Sequence, residues 1–327
     1  MECSSGENIV EIIPDDEEVS ETTIFDIPVQ DIMVDRLAKY LRWEDLVNLR
    51  NCSRGARELA DCMFNGLTKI QIIHYTGCVK CPFDVILQYC RKLRKIYLSN
   101  LAWLTDDLLV ELLCRNPHLE FFHISLCTNI TATGMIPLAT HSKKLQFLFV
   151  PHMNFGDEFL NVFNQHNNQL QRIDLAWNER LTGQCLEKFF QNQPNLKKIR
   201  LTYVKADVSM SLVTIAKVCR KLYYMDISHC MVEVDDRVIL DIAENCPDLR
   251  TMFLNMSVHR ETKEYLKNRG IDTGGLCCCV RNNEHRMRRR WEAEELYIHL
   301  RRRRQERLGR QGNQERGQQV EGAPQRE

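Results

Sequence analysis

Leu93-Arg94-Lys95-Ile96-Tyr97-Leu98 has the apolar spacing Leu-x-x-Ile-x-Leu, and that spacing returns along the chain. It is found at Leu67/Ile70/Ile72, Leu119/Phe122/Ile124, Leu145/Leu148/Val150, Leu170/Ile173/Leu175, Leu196/Ile199/Leu201, Leu222/Met225/Ile227 and Leu249/Met252/Leu254. The first anchors lie 26, 26, 26, 25, 26, 26 and 27 residues apart. A constant period of this length marks a stack of like units, each of which buries its apolar side only against its neighbours. Function is then expected on a surface of the stack.

Within a unit the anchors alternate with variable residues, the pattern of a strand with one buried face: Leu93, Ile96 and Leu98 point inward, while Lys95, Tyr97 and Ser99 point outward. Each buried aliphatic is worth about 1.5 to 3 kcal/mol, but only once the next strand covers it. Behind each strand the spacing becomes helical, as in Leu108, Leu109, Leu112 and Leu113 or Ile239, Leu240, Ile242 and Ala243. Thr105, Asp106, Thr131, Thr182, Asp235 and Asp236 stand where helix caps are expected. One strand and one helix per unit predict an α/β solenoid with a curved parallel sheet inside and helices outside. The period falls in the leucine-rich repeat window of roughly 20 to 29 residues. Cysteines recur three before the first anchor (Cys90, Cys219, Cys246) and eight after it (Cys127, Cys230). This resembles the cysteine-containing subclass of leucine-rich repeats, which implies that these thiols are small core residues.

The 327 residues carry 44 basic and 44 acidic side chains, unevenly placed. Residues 1 to 23 hold eight acids and no Lys or Arg, whereas residues 281 to 310 hold eleven Arg against five Glu. The chain is expected to divide into an acidic disordered N-terminus (1–23), a helical module (24–66), about eight repeats (67–275) and a Cys cluster with a basic, partly helical to disordered tail (276–327). There is no signal peptide pattern after Met1 and no apolar run of membrane-spanning length. The fifteen cysteines lack small-scaffold spacing and read as reduced thiols, so a cytoplasmic or nuclear location is expected and no membrane anchor. The sequons at Asn51, Asn129 and Asn255 are then silent.

Residues 24 to 64 break the rhythm and read as short helices around Ile32, Leu37 and Leu41, then Leu46, Leu49, Cys52 and Leu59, with Asp45 as a cap. Ile27-Pro28, Asp45-Leu46 and Cys52-Ser53-Arg54 running on to Arg57 and Leu59 resemble an F-box, with Ala56 where that pattern has Trp. An F-box followed at once by cysteine-containing repeats resembles the F-box and leucine-rich repeat proteins over residues 24 to 272. The resemblance implies a small all-α module and a repeat solenoid acting as substrate receptor of a ubiquitin ligase of the SCF type. The module would dock a Skp adaptor, and through it cullin and RING subunits. The F-box positions carried over are Ile27, Pro28, Ile32, Leu37, Leu41, Leu46, Leu49 and Leu59; all but Leu59 are assigned to adaptor contact, Pro28 and Leu46 foremost. The alternative is a leucine-rich repeat scaffold with no ligase, whose front module only caps the stack.

Substrate contact is expected on two outward columns, where exposed aromatics beside charge mark interaction sites. The predicted residues are Tyr97, Phe121, His123, Phe147, Phe149, Arg172, Asp174, Lys198 and Arg200. The substrate, the oligomeric state and any need for phosphorylation stay open. No nucleophile elbow, phosphate-binding Gly-rich loop or His-Glu-x-x-His is present, so a non-catalytic adaptor without cofactor is expected. Cys78 and Cys81, with His74 and Cys90, have zinc-ligand types but no second pair, and no metal is expected. Cys277, Cys278 and Cys279 read as a reduced surface cluster, with palmitoylation as the sharper reading. Residues 284 to 308 read as an Arg-rich helix, for which nucleic acid is a third and less favoured partner, and 311 to 327 as disordered.

Overall fold

The computed structural model describes residues 32, 37, 40–73, 83–230, 234–254 and 257–274. The chain divides into two compact units, Met1–Thr273 and Gly274–Glu327, and all described residues but Gly274 fall in the first.

Two helices, α1 (Trp43–Arg50) and α2 (Arg54–Gly66), lead into eight strands: β1 (Lys69–Ile73), β2 (Lys95–Ser99), β3 (Phe121–Ser125), β4 (Phe147–Phe149), β5 (Arg172–Asp174), β6 (Lys198–Arg200), β7 (Tyr224–Asp226) and β8 (Thr251–Phe253). They form one parallel sheet in sequence order. The register pairs the middle anchors in a single row, Ile70 to Ile96, Phe122, Leu148, Ile173, Ile199, Met225 and Met252. The sequence period is therefore the strand register. Between strands run α3 (Phe83–Tyr89), α4 (Asp106–Arg115), α5 (Ile136–His141), α6 (Asp157–His166), α7 (Gly183–Gln191), α8 (Ser209–Val218) and α9 (Asp236–Asn245), and α10 (Arg260–Asn268) follows β8. These alternate with the strands as expected of a repeat solenoid. The third unit departs: a 3-10 turn, Thr133–Met135, replaces the first helical turn, and α5 starts with Pro137 at its N-terminus, where a missing N–H costs nothing. A Cβ at Gly134 would stand 2.3 Å from Asp106 Oδ1, so a larger residue there would have to displace that carboxylate.

Units are tied by polar groups as well as by burial. Asn116 accepts the Leu93 N–H at 2.9 Å and donates to the Cys90 and Leu112 carbonyls. Asn178 accepts the Phe155 N–H and donates to the Val150 carbonyl. Both amides are buried, so each satisfies backbone groups that would otherwise be stranded. Outside the sheet, Asp106 accepts from Thr131 N and Oγ1, and Asp157 repeats the contact with Thr182. Thr182 also caps α7, and Asp235 caps α9. Thr105 makes no side-chain cap, and its neighbour Asp106 bonds the next unit. The repeat cysteines are buried, and several donate to a carbonyl about one unit back: Cys219 to Gln193, Cys246 to Cys219 and Cys230 to Leu201. Burial pushes the Cys90, Cys219 and Cys230 thiols up to about 12.

Among the described residues the front module has no core of its own. Leu46, Leu59, Met63 and Phe64 belong to the same buried cluster as Leu67, Ile70 and Phe83. α1 begins at Trp43, before Asp45: the Asp45 carboxylate reaches back to the Arg42 N–H at 2.8 Å, and that bond holds its pKa below the ordinary value. Ser53 caps α2 by accepting the Ala56 N–H. Arg50 and Asp61 form a 2.7 Å ion pair that fastens α1 to α2.

Candidate protein-binding surfaces

The predicted adaptor residues differ in burial. Ile27 and Pro28 lie outside the described residues. Ile32, Leu37 and Leu41 are exposed at 38%, 42% and 37%, and Tyr40 beside them at 77%. Leu49 is partly buried against the core. Leu46 is fully buried, which corrects its reading as a foremost contact: its side chain belongs to the core shared with Leu59, Phe64 and Ile70. Leu59 is buried likewise.

The outward columns stand in register on β2 to β6 as expected, yet they are far less open than expected. Tyr97, His123 and Phe147 are half-buried, while Phe121, Phe149, Arg172, Asp174, Lys198 and Arg200 are buried. Their reading as exposed residues is corrected, and the physical reason is lateral contact. Adjacent parallel strands lie only about 4.8 Å apart, so long side chains on one face close over each other. Ring centroids of Tyr97 and Phe121 lie 4.4 Å apart, and those of Phe121 and Phe149 5.1 Å. The Arg172 guanidinium lies over Phe147 and the Lys198 ammonium over Tyr224. Arg200 Nη1 donates to Asp174 Oδ2 at 3.1 Å, and Arg200 Nε lies 3.7 Å from Asp226 Oδ2. Burial raises the Asp226 carboxyl above its ordinary value, against the opposing pull of Ser228 and Arg200. Burial also pushes His123 down to about 4, partly opposed by Asp174.

A row of residues two past the third anchor gave no signal in the apolar pattern. Asn100, Leu126, His152, Trp177, Tyr203 and His229 all have positive φ, between 54° and 61°. Such a backbone is costly for bulky side chains and persists only where surroundings impose it. Four of them stack into a ladder: His152 on Trp177 at 4.9 Å, Trp177 on Tyr203 at 3.8 Å and Tyr203 on His229 at 4.6 Å. Aromatic identity at a fixed place in four successive units was the available clue.

Cys90 belongs to the core, where burial pushes its thiol up to about 12. His74, Cys78, Cys81, Cys277, Cys278 and Cys279 lie outside the described residues, as does the Arg-rich segment. Among the described residues no helix is long and apolar enough to cross a membrane.

An eight-stranded parallel sheet alternating with helices, with anchors buried in one row, defines a leucine-rich repeat solenoid fronted by a helical module. No family model matches the chain. Among solved structures it is similar to yeast Rad7, in the complex of Rad7 and Elc1, with 17% identity and a TM-score of 0.55 over 67% of this chain and 61% of that one. It is also similar to the leucine-rich repeat-containing protein LegL7 of Legionella pneumophila, with 11% identity and a TM-score of 0.41 over 69% and 75% of the two chains. The chain thus spans about three fifths of the Rad7 chain, and the likeness establishes the repeat fold.

Proposed function

We propose that this chain is the substrate receptor of an SCF-type ubiquitin ligase, docking a Skp adaptor through its front module and presenting a target protein to the ligase. The carrying observation is the exposure of Ile32, Leu37, Tyr40 and Leu41, while Leu46, Leu59, Met63 and Phe64 of the same module enter the core. Large apolar side chains left exposed cost solubility and can mark a partner's seat. The resemblance to F-box and leucine-rich repeat proteins supports the reading. It reaches F-box/LRR-repeat protein 15 in particular through Phe25 to Pro28, Leu49 to Arg54 and Lys267 to Asp272. Rad7 is seen in complex with Elc1, a precedent for a repeat protein of this fold with a partner.

In this reading the chain catalyses nothing and takes no cofactor. It raises the effective concentration of the target at the ligase to roughly millimolar order, and the ubiquitin chemistry belongs to its partners. Its place is the cytoplasm or nucleus. A second reading, a repeat scaffold with no ligase, is favoured by the merged core, since a pure cap would also pack this way.

Co-purification separates the two. Deleting residues 24 to 64 would strip Leu46, Leu59 and Phe64 from the core, so the informative variant is Leu37→Asp with Leu41→Asp, which alters exposed positions only. Intact chain is expected to recover the Skp adaptor and cullin, and the variant neither, with unchanged thermal melting. Equal recovery by both chains, or none by the intact chain, would sink the receptor reading.

A further inference from the structure

At the entry end of β4, β5 and β6 the residue one past the first anchor is Gln146, Gln171 and Lys197, and the residue before it in the last two and the next unit is Gln169, Asn195 and Lys221. These six line an open pocket of about 470 Å³. No carboxylate lines it among the described residues. Its side chains are already ordered by one another. Gln171 Nε2 donates to Gln146 Oε1 at 2.7 Å, Lys197 Nζ donates to Gln171 Oε1 at 3.0 Å, and Lys221 Nζ donates to Asn195 Oδ1 at 2.9 Å. Each lysine bond uses one of the three N–H donors that an ammonium carries, and the amides fix where the ammonium stands.

We propose that this pocket binds a short acidic segment of a partner protein, its carboxylates held by Lys197 and Lys221 and its peptide groups by the flanking side-chain amides. An amide offers a donor and an acceptor together, which is what a peptide group requires, while an ammonium suits a carboxylate. The length of the ligand follows from the same edge. Glu120, paired with Arg94, occupies the equivalent place on β3, and Asp248, beside Arg250, the place before the last unit's first anchor, so an acid stands on either side of the pocket. A long polyanion such as nucleic acid running along the edge would meet both, whereas a short acidic peptide fits between them. The outward columns are largely buried, and this pocket is open beside them. The inference goes beyond the receptor reading and does not need it: the pocket would take the segment whether or not the front module docks an adaptor.

The test uses the full chain with a fluorescein-labelled oligoglutamate flanked by glycines, its oligoglutamine counterpart, and oligouridine. Lysine acetylation read by mass spectrometry reports the place of binding, which the basic tail cannot imitate. Oligoglutamate is expected to bind at about 0.1 M salt and to protect Lys197 and Lys221 while leaving Lys69 and Lys217 reactive. Lys197→Gln with Lys221→Gln is expected to weaken binding about tenfold, a loss of about 1.4 kcal/mol, with unchanged melting. The proposal is overturned if oligoglutamine binds equally, if the intact chain binds nothing, or if protection falls elsewhere. It is also overturned if oligouridine protects the two lysines better than oligoglutamate does. The footprint on unaltered protein decides the matter even where the double variant folds poorly.

Discussion

At the residue scale, burial decides chemistry more than residue type does. The chain carries many thiols, yet Cys90, Cys219 and Cys230 have theirs pushed up to about 12, and Cys127 and Cys246 to about 11, with desolvation the leading cause. Cys52, Cys62 and Cys114 are exposed. Since the thiolate is the nucleophile, native protein treated with iodoacetamide at neutral pH is expected to be alkylated at those three and spared at the five repeat cysteines. Peptide mapping that found the repeat cysteines modified as fast as Cys114 would show that the stack opens more readily than its core implies. His123 offers a second reading of burial. Its pKa falls from the ordinary 6.5 to about 4, so between those values the unfolded chain holds a proton that the folded one rejects. Stability from this group is therefore complete above about pH 6.5 and is lost as pH falls toward 4. His123→Phe, which keeps a ring among Tyr97 and Phe149, is expected to flatten the urea-midpoint profile across that window. An unchanged slope would mean that His123 is solvated.

At the element scale, the ladder His152, Trp177, Tyr203 and His229 exchanges backbone cost for stacking. Tyr203 has a ring on each side, and offset pairs add about 0.5 to 1.5 kcal/mol each beyond area burial. Tyr203→Ala leaves the positive φ in place and removes both contacts, so a loss of about 1 to 3 kcal/mol is expected in chemical denaturation. Tyr203→Phe should cost little by comparison, and equal losses from the two would refute stacking as the cause. This row shows what the sequence could and could not declare. The strands and their register were legible because one number, the spacing of the anchors, fixes both. The cysteine sites were legible for the same reason. A left-handed backbone at Trp177 or Tyr203 was not, since nothing in those side chains favours it and only the packing of neighbouring units imposes it. The outward columns were legible as columns but not as buried ones, because Arg200 reaches Asp174 and Asp226 only when three strands stand side by side. Leu46 and Leu41 look alike in a pattern of apolar residues, and only the position of α2 tells that one faces the core and the other solvent.

At the scale of the Met1–Thr273 unit, the decisive feature is that one apolar cluster runs from Leu46 to Ile271 without a break at the module boundary. In a solenoid each unit is stabilised by its neighbours, so an uncovered end exposes a whole apolar face. β1 would be that end without α2: Leu67 and Ile70 share the cluster with Met63 and Phe64. Burying two such side chains is worth about 1.5 to 3 kcal/mol each, which makes the module part of the fold's stability as well as a candidate docking surface. A chain beginning at residue 67 is consequently expected to unfold at lower denaturant and to lose protection from hydrogen exchange first in β1 and β2. Leu37→Asp with Leu41→Asp should leave both measures where they are. If the truncated chain melted like the intact one, the module would be an attached domain, free to swing on its own. If it loses its first units as expected, α1 and α2 are held against the repeats as one body, because Leu46, Leu59, Met63 and Phe64 share a core with β1.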